Sequence, residues 1–515
     1  MLDTDRSAPV DRAARPQPLV PLWLALPLAA VAGMLMRLSF PEPAIWPLVF
    51  PAVALLLVTL IGRRIWAGLL VGLIYGLVFF ALLVSWATRY LGLIPWGALS
   101  VVQAALTAVG LMPIILAYRW VPRAWPRARL AVLPPLIGAL WTLQELFLGN
   151  WPYGGFPWAR LGMTQSESPL GHLTSWVGVS GLSFLIVTTT ALLLELARTG
   201  SWRRPLRLIA PVALTLVLLL TPLFPTTSAG DMRIGAVQGN GPTGYFDHRE
   251  PYAIIDSQMA ATEPLYGEDL DLVVWPEGSA GYDPFQDPGT ARRLTRVVTE
   301  AGAPLLANTA TERGKEIFNT SFLWTSDGTA DQLHDKRHPV PFGEYVPNRE
   351  FYNAIVPDLI GLLQREYTPG TNPPLVHVGD VPVGLAICFD VIYDEVIREG
   401  VTGGARVLIF QTNNADFRGT DENLQQLAFA RTRAIETGRS VVNISTVGTS
   451  QTIRPDGSTM STLNADKAGA LLDDVELRTG LTAGVVLGPW LQQVLLWGGV
   501  AGLLLSGVLA RRRRA

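Results

Sequence analysis

The sequence is poor in cysteine, in lysine and, over two long stretches, in acidic side chains. Cys388 is the single cysteine of 515 residues, which excludes an intramolecular disulfide framework and a cysteine-based zinc site. Three lysines stand beside 37 arginines, and each lysine is therefore worth examining: they are Lys315, Lys336 and Lys467. The formal net charge of −2 gives no overall basic field, so nucleic acid is not a favoured partner.

Acidic residues avoid both ends of the chain. Residues 1–230 contain seven of the 42 acidic side chains, residues 481–515 contain none, and the other 35 lie in residues 231–480. Hydrophobic residues make up 49% of the chain and charged residues 16%, which is too apolar for an ordinary soluble protein of two or three domains. The distribution indicates hydrocarbon around the N-terminal half and the last segment, and water around the middle block.

Eight apolar stretches have about the 20 residues that are needed to cross a hydrocarbon core. They are residues 19–38, 44–62, 66–87, 93–117, 130–149, 173–196, 207–224 and 484–510. They predict a polytopic α-helical membrane bundle of eight spans, seven before the charged block and one after it. Because one helix would suffice as an anchor, we expect the bundle to have a further role, such as holding an apolar substrate.

Arginines are concentrated in every second short loop, a pattern that marks cytoplasmic loops. These arginines are Arg6, Arg12, Arg15, Arg63, Arg64, Arg119, Arg123, Arg127, Arg129, Arg198, Arg203, Arg204, Arg207 and Arg511 to Arg514. The first span is followed by Ser39-Phe40-Pro41-Glu42 rather than by a small-residue cleavage site, which predicts a retained anchor. The expected domains are a cytoplasmic tail over 1–18, a seven-helix transmembrane region over 19–224, an extracytoplasmic domain over 231–480, a C-terminal transmembrane helix over 484–510 and a basic cytoplasmic tail over 511–515.

Two polar or aromatic features lie near the outer end of the fifth span. Glu145 is an ionisable group in a membrane segment, which indicates a function, and a paired structural carboxylate is the alternative. The loop Asn150–Trp158 is aromatic and interrupted by glycine and proline. It is either an interfacial aromatic belt, the reading we favour, or a loop that guides lipid toward the domain.

Residues 231–480 change to short apolar runs bounded by turn residues, with helical stretches between them, which predicts one mixed α/β domain. The predicted strands are Arg233–Gln238, Leu270–Trp275, Pro304–Thr309, Ser321–Thr325, Val383–Ile387, Val407–Gln411 and Ser440–Ser445. The predicted helices are Tyr252–Thr262, Pro288–Ala301 and Glu422–Gly438.

Three segments of this domain carry candidate chemistry. Glu277 and Cys388 each follow a predicted buried strand, where an α/β sheet presents groups to a ligand. Lys336 and Glu344 lie in an irregular stretch rich in proline and glycine over 334–347. A thiol with a pKa of about 8.5 needs a base to react at neutral pH, and acyl transfer needs positive charge where the oxyanion forms. Glu277, Lys336 and Cys388 could serve as base, cation and nucleophile, or as a solvated pair and a packed cysteine.

No metal or cofactor site is predicted. His334 and His338 have the spacing of ligands on one helix face, but Pro339 follows at once and no third ligand is evident. The sequence contains no glycine-rich phosphate loop or dinucleotide fingerprint with the correct flanks.

The order and flanks of the candidate residues resemble a known family. Glu277 follows Trp275-Pro276, Lys336 precedes Pro341–Pro347, and Cys388 ends a strand. With the Val237–Asn240 opening, this resembles the nitrilase (carbon–nitrogen hydrolase) superfamily. Together with the predicted spans, the whole chain resembles the apolipoprotein N-acyltransferases.

The resemblance implies a four-layer α-β-β-α sandwich domain standing on the outer face of the bundle, in a bacterial cytoplasmic membrane. It implies no cofactor, a phospholipid as acyl donor and a diacylglyceryl lipoprotein as acceptor of the acyl chain at its N-terminal amine. By position, Cys388 would be the nucleophile, Glu277 the general base and Lys336 the cation facing the oxyanion. Glu344 would orient the lysine, and the Phe389 N–H would join the oxyanion hole.

Three segments depart from the family pattern. Phe389 and Asp390 stand where a tyrosine and a glutamate are usual after the cysteine. Asp416 lies in a segment that lacks the usual tryptophan, and the tryptophan after Asn240 is also absent, with Tyr245 or Phe246 as its substitute. These departures affect donor and acceptor preference more than the chemistry.

Two alternatives therefore remain at the level of the sequence. One is a membrane-tethered nitrilase-like amidase, in which water replaces the amine. The other is a non-catalytic partner protein of a lipid-modifying complex. The apolar runs of the segment 339–370 predict a lid that dips into the membrane, with ordinary loop packing as the competing explanation.

Overall fold

The computed structural model describes residues 17–204, 206 and 208–513. Nearly all of the predicted N-terminal tail, with Arg6, Arg12 and Arg15, lies outside the described residues, as do Arg207 and Arg514. Within those ranges the chain forms an apolar helical part and an α/β domain, in the order that the charge distribution predicts.

Within the described part of the chain, the apolar region begins with nine α-helices. They are α1 Leu22–Leu38, α2 Val49–Leu60, α3 Ile65–Leu83, α4 Thr88–Leu91, α5 Leu93–Gly110, α6 Met112–Ala124, α7 Arg129–Leu148, α8 Thr174–Arg198 and α9 Ile209–Leu220. Each of the eight predicted apolar stretches contains a helix. Among the residues that the structure describes, five helical stretches are long and apolar enough to cross a membrane: Ile65–Leu83, Leu93–Ala124, Arg129–Leu148, Gly171–Arg198 and Ala483–Arg512. The apolar helices Leu22–Leu38, Trp46–Leu60 and Pro211–Leu220 are shorter.

Small residues allow the bundle helices to approach closely. A Cβ atom at Gly76 of α3 would lie 2.7 Å from the Cα atom of Ala104 in α5, and one at Gly72 would lie 2.9 Å from the Cα atom of Ala108. In an apolar solvent, such close backbone contact between small residues is what drives helix association.

The domain contains twelve strands in two six-stranded sheets. The first sheet has the order β12-β1-β2-β3-β4-β5, and the second has the order β11-β10-β9-β8-β7-β6. The strands of the first sheet are β1 Thr227–Gln238, β2 Leu272–Val274, β3 Leu305–Arg313, β4 Glu316–Trp324, β5 Leu333–Asp335 and β12 Gly469–Thr479. Those of the second are β6 Leu375–Val378, β7 Val381–Ile387, β8 Val407–Thr412, β9 Val441–Ser445, β10 Ser450–Ile453 and β11 Thr459–Leu463.

Helices cover the outer face of each sheet. These are α10 Ala253–Thr262 and α11 Pro288–Ala301 on the first sheet, and α14 Asp394–Thr402 and α15 Glu422–Thr437 on the second. The short helices α12 Arg349–Ile355 and α13 Pro357–Ile360 lie in the connection between β5 and β6, and the long helix α16 Ala483–Arg512 returns to the bundle. Strand alternation defines the layers. In β2, Leu272 and Val274 pack into the core between the sheets, while Val273 packs toward α10 and α11. The predicted four-layer α-β-β-α sandwich is therefore present.

The seven predicted strands and three predicted helices of the domain are confirmed. The start and end of α11 follow from its caps: the Asp287 side chain accepts a hydrogen bond from the Thr290 N–H at 2.7 Å, and Gly302 adopts a left-handed conformation. The sequence pattern did not predict the strands β5, β6 and β10 to β12 or the helices α12, α13 and α14. The stretch predicted to be irregular over 334–347 in fact begins within β5, directly before Lys336.

A buried ion-pair network joins the domain to the bundle. Asp394, at the start of α14, accepts hydrogen bonds from Arg160 of the α7–α8 connection at 2.6 Å and from Gln492 of α16 at 2.8 Å. Arg433 of α15 lies 2.8 Å from the same carboxylate and 2.6 Å from Glu436. Four separate segments of the chain therefore meet at one carboxylate.

We expect Asp394→Asn to lower the free energy of unfolding by about 3 kcal/mol, because two buried guanidinium groups lose their shared carboxylate. Glu300→Gln, which breaks the exposed Arg296–Glu300 pair of α11, should cost less than about 1 kcal/mol. Thermal unfolding of both variants in detergent micelles measures the difference. Equal losses in the two variants would show that the Asp394 network does not hold the domain to the bundle.

Candidate active site

The candidate site lies where strands of the two sheets end. Glu277 follows β2, whose neighbours β1 and β3 run parallel to it, and its side chain is buried. Cys388 follows β7 directly and has a φ of 50°, in the left-handed region that a residue with a side chain enters at a cost of about 1–3 kcal/mol. Such strain is concentrated at functional sites, and here it accompanies the single cysteine.

Lys336 is the centre of a cluster of buried charges. Its side chain is almost fully buried, with 1% of the residue exposed. The Nζ atom lies 3.2 Å from Oε1 of Glu277 and 2.9 Å from Oε2 of Glu344. The structure thus brings together the predicted base, the predicted cation and the predicted second carboxylate.

Asn319 of β4 connects the two carboxylates of this cluster. Its Nδ2 atom donates to Oε1 of Glu277 at 2.7 Å and to Oε1 of Glu344 at 3.1 Å. Its backbone carbonyl also accepts the Lys336 N–H at 2.8 Å. The sequence pattern did not point to Asn319, because an asparagine inside a strand gives no signal of its position relative to distant carboxylates.

The electrostatics of the cluster follow from burial and from these pairs. Burial alone lowers the pKa of Lys336, but Glu277 and Glu344 outweigh it and hold this pKa well above its usual value. Burial raises the pKa of Glu277, against the opposing effect of the Lys336 ammonium. Burial and the nearby Glu277 raise the pKa of the Cys388 thiol. The thiol therefore stays protonated at neutral pH and requires a base.

Asp390 fixes the backbone that carries the lysine. Its carboxylate accepts the backbone N–H groups of Arg337 at 3.1 Å and of His338 at 2.8 Å. The shorter acid at this position thus still reaches the segment that follows Lys336. Because Asp390 is itself fully buried, the contact ties the strand end of Cys388 to the loop of Lys336.

The side chain of Phe389 faces the connection between α7 and α8 of the bundle rather than solvent. Its ring stacks against Phe156 at 6.1 Å and Trp158 at 6.2 Å between centroids. Trp158 is buried, whereas Trp151 of the same loop is exposed. The Asn150–Trp158 loop therefore contributes both to an exposed aromatic surface and to the packing around Phe389.

The other departures from the family pattern form a second aromatic contact with the bundle. Asp416 accepts the Tyr245 N–H at 2.7 Å. The rings of Tyr245 and Phe246 lie 6.0 and 6.1 Å from that of Tyr90 in α4. Phe417 packs edge-on against Trp86 at 5.0 Å.

Glu145 and His338 have structural partners. Oε1 of Glu145 accepts hydrogen bonds from the Trp141 indole and from the Leu161 N–H, each at 3.0 Å. His338 lies 2.9 Å from Glu395 and stacks on Tyr393. Among the described residues, no three His, Cys, Asp or Glu side chains are grouped in a way that could hold a metal ion.

Comparison with known proteins covers nearly the whole chain. Residues 32–192 match the apolipoprotein N-acyltransferase N-terminal domain family, and residues 233–480 match the carbon–nitrogen hydrolase family. The apolipoprotein N-acyltransferase of Mycolicibacterium smegmatis is 31% identical over 523 residues, which are 93% of this chain and 85% of that protein. That of Azotobacter vinelandii is 30% identical over 527 residues, 96% of each chain.

Among solved structures, an amidase of the nitrilase superfamily from Nesterenkonia aligns with 48% of this chain and 92% of its own. That alignment has 18% sequence identity and a TM-score of 0.38. Family membership rests on the full-length sequence matches. The chain belongs to the apolipoprotein N-acyltransferase family of acyltransferase enzymes.

Proposed function

We propose that this protein moves a fatty acyl chain from a membrane phospholipid, through a thioester on Cys388, to the N-terminal α-amine of diacylglyceryl-cysteine in apolipoproteins. One observation carries the proposal. The Lys336 ammonium is buried between Glu277 and Glu344, and Cys388, which interacts electrostatically with Glu277 and Lys336, supplies the only thiol of the chain.

In the first half-reaction, Glu277 takes the thiol proton while the Cys388 sulfur attacks the ester carbonyl carbon. The oxyanion forms toward the Lys336 ammonium and the Phe389 N–H. The ester C–O bond then breaks, and the lysophospholipid oxygen leaves with the proton that Glu277 returns. The acyl chain remains on sulfur as a thioester.

In the second half-reaction, the lipoprotein amine attacks the thioester carbon and loses a proton to Glu277. The C–S bond breaks, an amide forms, and the sulfur recovers a proton. Because the thioester keeps the acyl group activated for attack by the amine, these two half-reactions need no nucleotide and no metal. Glu344 orients the lysine through both steps.

The segment around α12 and α13 is the proposed lipid-facing lid. Phe351 and Ile355 are 60% and 59% exposed, and Leu362 is exposed as well. Leu363, by contrast, packs with Val346 and Ile360. The face that would enter the membrane therefore consists of α12 and Leu362, with Leu363 as part of the lid's own small core.

Family membership favours this acyltransferase over the two alternatives from the sequence. An amidase would give the acyl group to water, and a non-catalytic partner would have no need of a buried ion cluster beside a strained cysteine. The acceptor of the acyl group distinguishes the acyltransferase from the amidase, since only the acyltransferase yields an acylated amine.

We further propose eight spans in a bacterial cytoplasmic membrane, with the domain over 231–480 on the extracytoplasmic side and both termini in the cytoplasm. The proposed boundaries are the tail 1–18, the transmembrane region 19–224, the C-terminal helix 484–510 and the basic tail 511–515. The alternation of arginine-rich loops supports this arrangement.

Cysteine labelling tests this topology in a Cys388→Ser background. With a membrane-impermeant maleimide on spheroplasts, we expect Ser458→Cys in the domain to react and Trp202→Cys in the α8–α9 connection to react only after permeabilisation. Both positions are exposed. Reaction of Trp202→Cys in intact spheroplasts would contradict the proposed side of that loop.

Acyl-enzyme formation tests the nucleophile. We expect purified wild-type protein mixed with phospholipid to gain the mass of one acyl chain, removable by hydroxylamine, because a thioester is cleaved by that reagent. Cys388→Ser should gain none and make no acylated lipopeptide. Full transfer by Cys388→Ser would contradict the thioester route.

The acylation rate should fall as the pH decreases, and the midpoint of this fall should lie above the ordinary Glu pKa of 4.5. Glu277 accepts the thiol proton only when ionised, and burial raises its pKa, so its basic form is lost earlier as the pH falls. Glu277→Gln should slow acylation by about 10²–10⁴-fold. Single-turnover rates between pH 4 and 9 measure both effects, and a rate that stays flat down to pH 4.5 would exclude Glu277 as the base.

A further inference from the structure

A chain of buried hydrogen bonds ends on the sulfur of Cys388, outside the charged cluster described above. It begins at the Gly448 N–H, which donates to Oγ of Ser445 at 2.9 Å. Ser445 Oγ donates to Oδ1 of Asn414 at 2.6 Å. All three residues are buried in the second sheet or at its end.

Asn414 uses both of its amide hydrogens in this chain. Its Nδ2 atom donates to Oε2 of Glu422 at 2.6 Å and to Oε1 of Gln426 at 2.9 Å. Because Oε1 of Gln426 is occupied in this way, the Nε2 atom of Gln426 faces Cys388 and donates to its Sγ atom at 3.4 Å. From Gly448 through Ser445, Asn414 and Gln426, each hydrogen bond donates in the direction of the sulfur.

Glu422 is unusual among the residues of this hydrogen-bond network, because it is a buried carboxylic acid. Only 3% of it is exposed, and the sequence suggests no more than an acidic residue in the first turn of a helix. Burial raises its pKa to about 8, with the Asn414 hydrogen bond opposing and Glu277 adding to the effect. Glu277 and Cys388 are the titratable groups with which it interacts. No step of the mechanism above uses it.

We propose that Gln426 is a further catalytic residue whose side-chain N–H stabilises the Cys388 thiolate, and that Asn414 and Glu422 are positioning residues that fix the direction of this amide. The proposal deepens the proposed function and rests on it for the identity of the nucleophile. A hydrogen bond from an amide to a charged acceptor favours the charged form. The thiolate occurs twice in the cycle, as the attacking group and as the group expelled when the amine breaks the C–S bond.

The neighbouring Gln425 provides a matched control. It is equally buried on the same helix, but its Oε1 accepts the Trp158 indole N–H at 2.6 Å and its Nε2 donates to the Leu83 carbonyl at 3.2 Å. Gln425 therefore faces the bundle and Gln426 faces the sulfur. A variant at either position loses one buried amide, and only one of them loses a contact with the thiol.

The test measures the rate of Cys388 alkylation by iodoacetamide against pH in the full detergent-solubilised chain. The readout is specific because the chain has one cysteine. We expect Gln426→Met to move the midpoint of the profile up by about one pH unit and to slow alkylation about tenfold at a fixed pH below the midpoint. Gln425→Met should leave the midpoint unchanged.

Glu422→Gln supplies a second, opposite readout. It keeps an oxygen for the Asn414 N–H but removes a carboxylate that raises the pKa of Cys388, so the midpoint should move to lower pH. Loss of fold would not move the two variants in opposite directions. A Gln426→Met midpoint equal to that of wild type would overturn the proposal.

Alkylation needs no phospholipid, so this outcome is independent of the acyl-enzyme test. If the midpoints move as expected and no acyl adduct forms, the proposed function fails and the contact with the thiol stands. If the adduct forms and the midpoints do not move, the role of Gln426 fails alone.

Discussion

The pairing of the Lys336 ammonium with two carboxylates is the interaction on which the site depends. A buried charge without a partner costs several kcal/mol, on the order of the stability of a whole domain. Glu277 and Glu344 supply the partners, and Asn319 holds both carboxylates by one amide group. The backbone of Lys336 is fixed in turn through Asp390, which accepts the two N–H groups that follow it.

Helix α15 contacts both this site and the helical bundle, through three of its side chains. Gln426 faces the thiol, Gln425 contacts Trp158 and the end of α3, and Arg433 enters the ion-pair network at Asp394. The core on the outer side of the second sheet is continuous with the core of the bundle. A helix that packs on both parts can hold Cys388, the proposed nucleophile, at a constant position relative to the apolar bundle, from which the proposed lipid substrate would enter.

The sequence was sufficient for the parts of the structure that depend on local pattern. Short apolar runs bounded by turn residues located the buried strands, and the strand ends located Glu277 and Cys388, because parallel strands present their carboxyl ends at one edge. The residues that were missed depend on tertiary contact. Asn319 and Gln426 are polar residues in a strand and in a helix, and nothing in their spacing reveals that they meet Glu344 or the sulfur. Glu422 is missed for a related reason, since an acid in the first turn of a helix is ordinary on an exposed helix and unusual only when buried.

In the proposed function, one acyl chain passes through Cys388 on its way from lipid to amine. The most direct measurement is a single-turnover chase, in which enzyme loaded with an isotope-labelled acyl chain is freed of phospholipid and mixed with a diacylated lipopeptide. We expect label to leave Cys388 at the same rate at which it enters the amide on the peptide, with no label in free fatty acid. Product that forms faster than the label leaves Cys388, or label that is released to water, would contradict it.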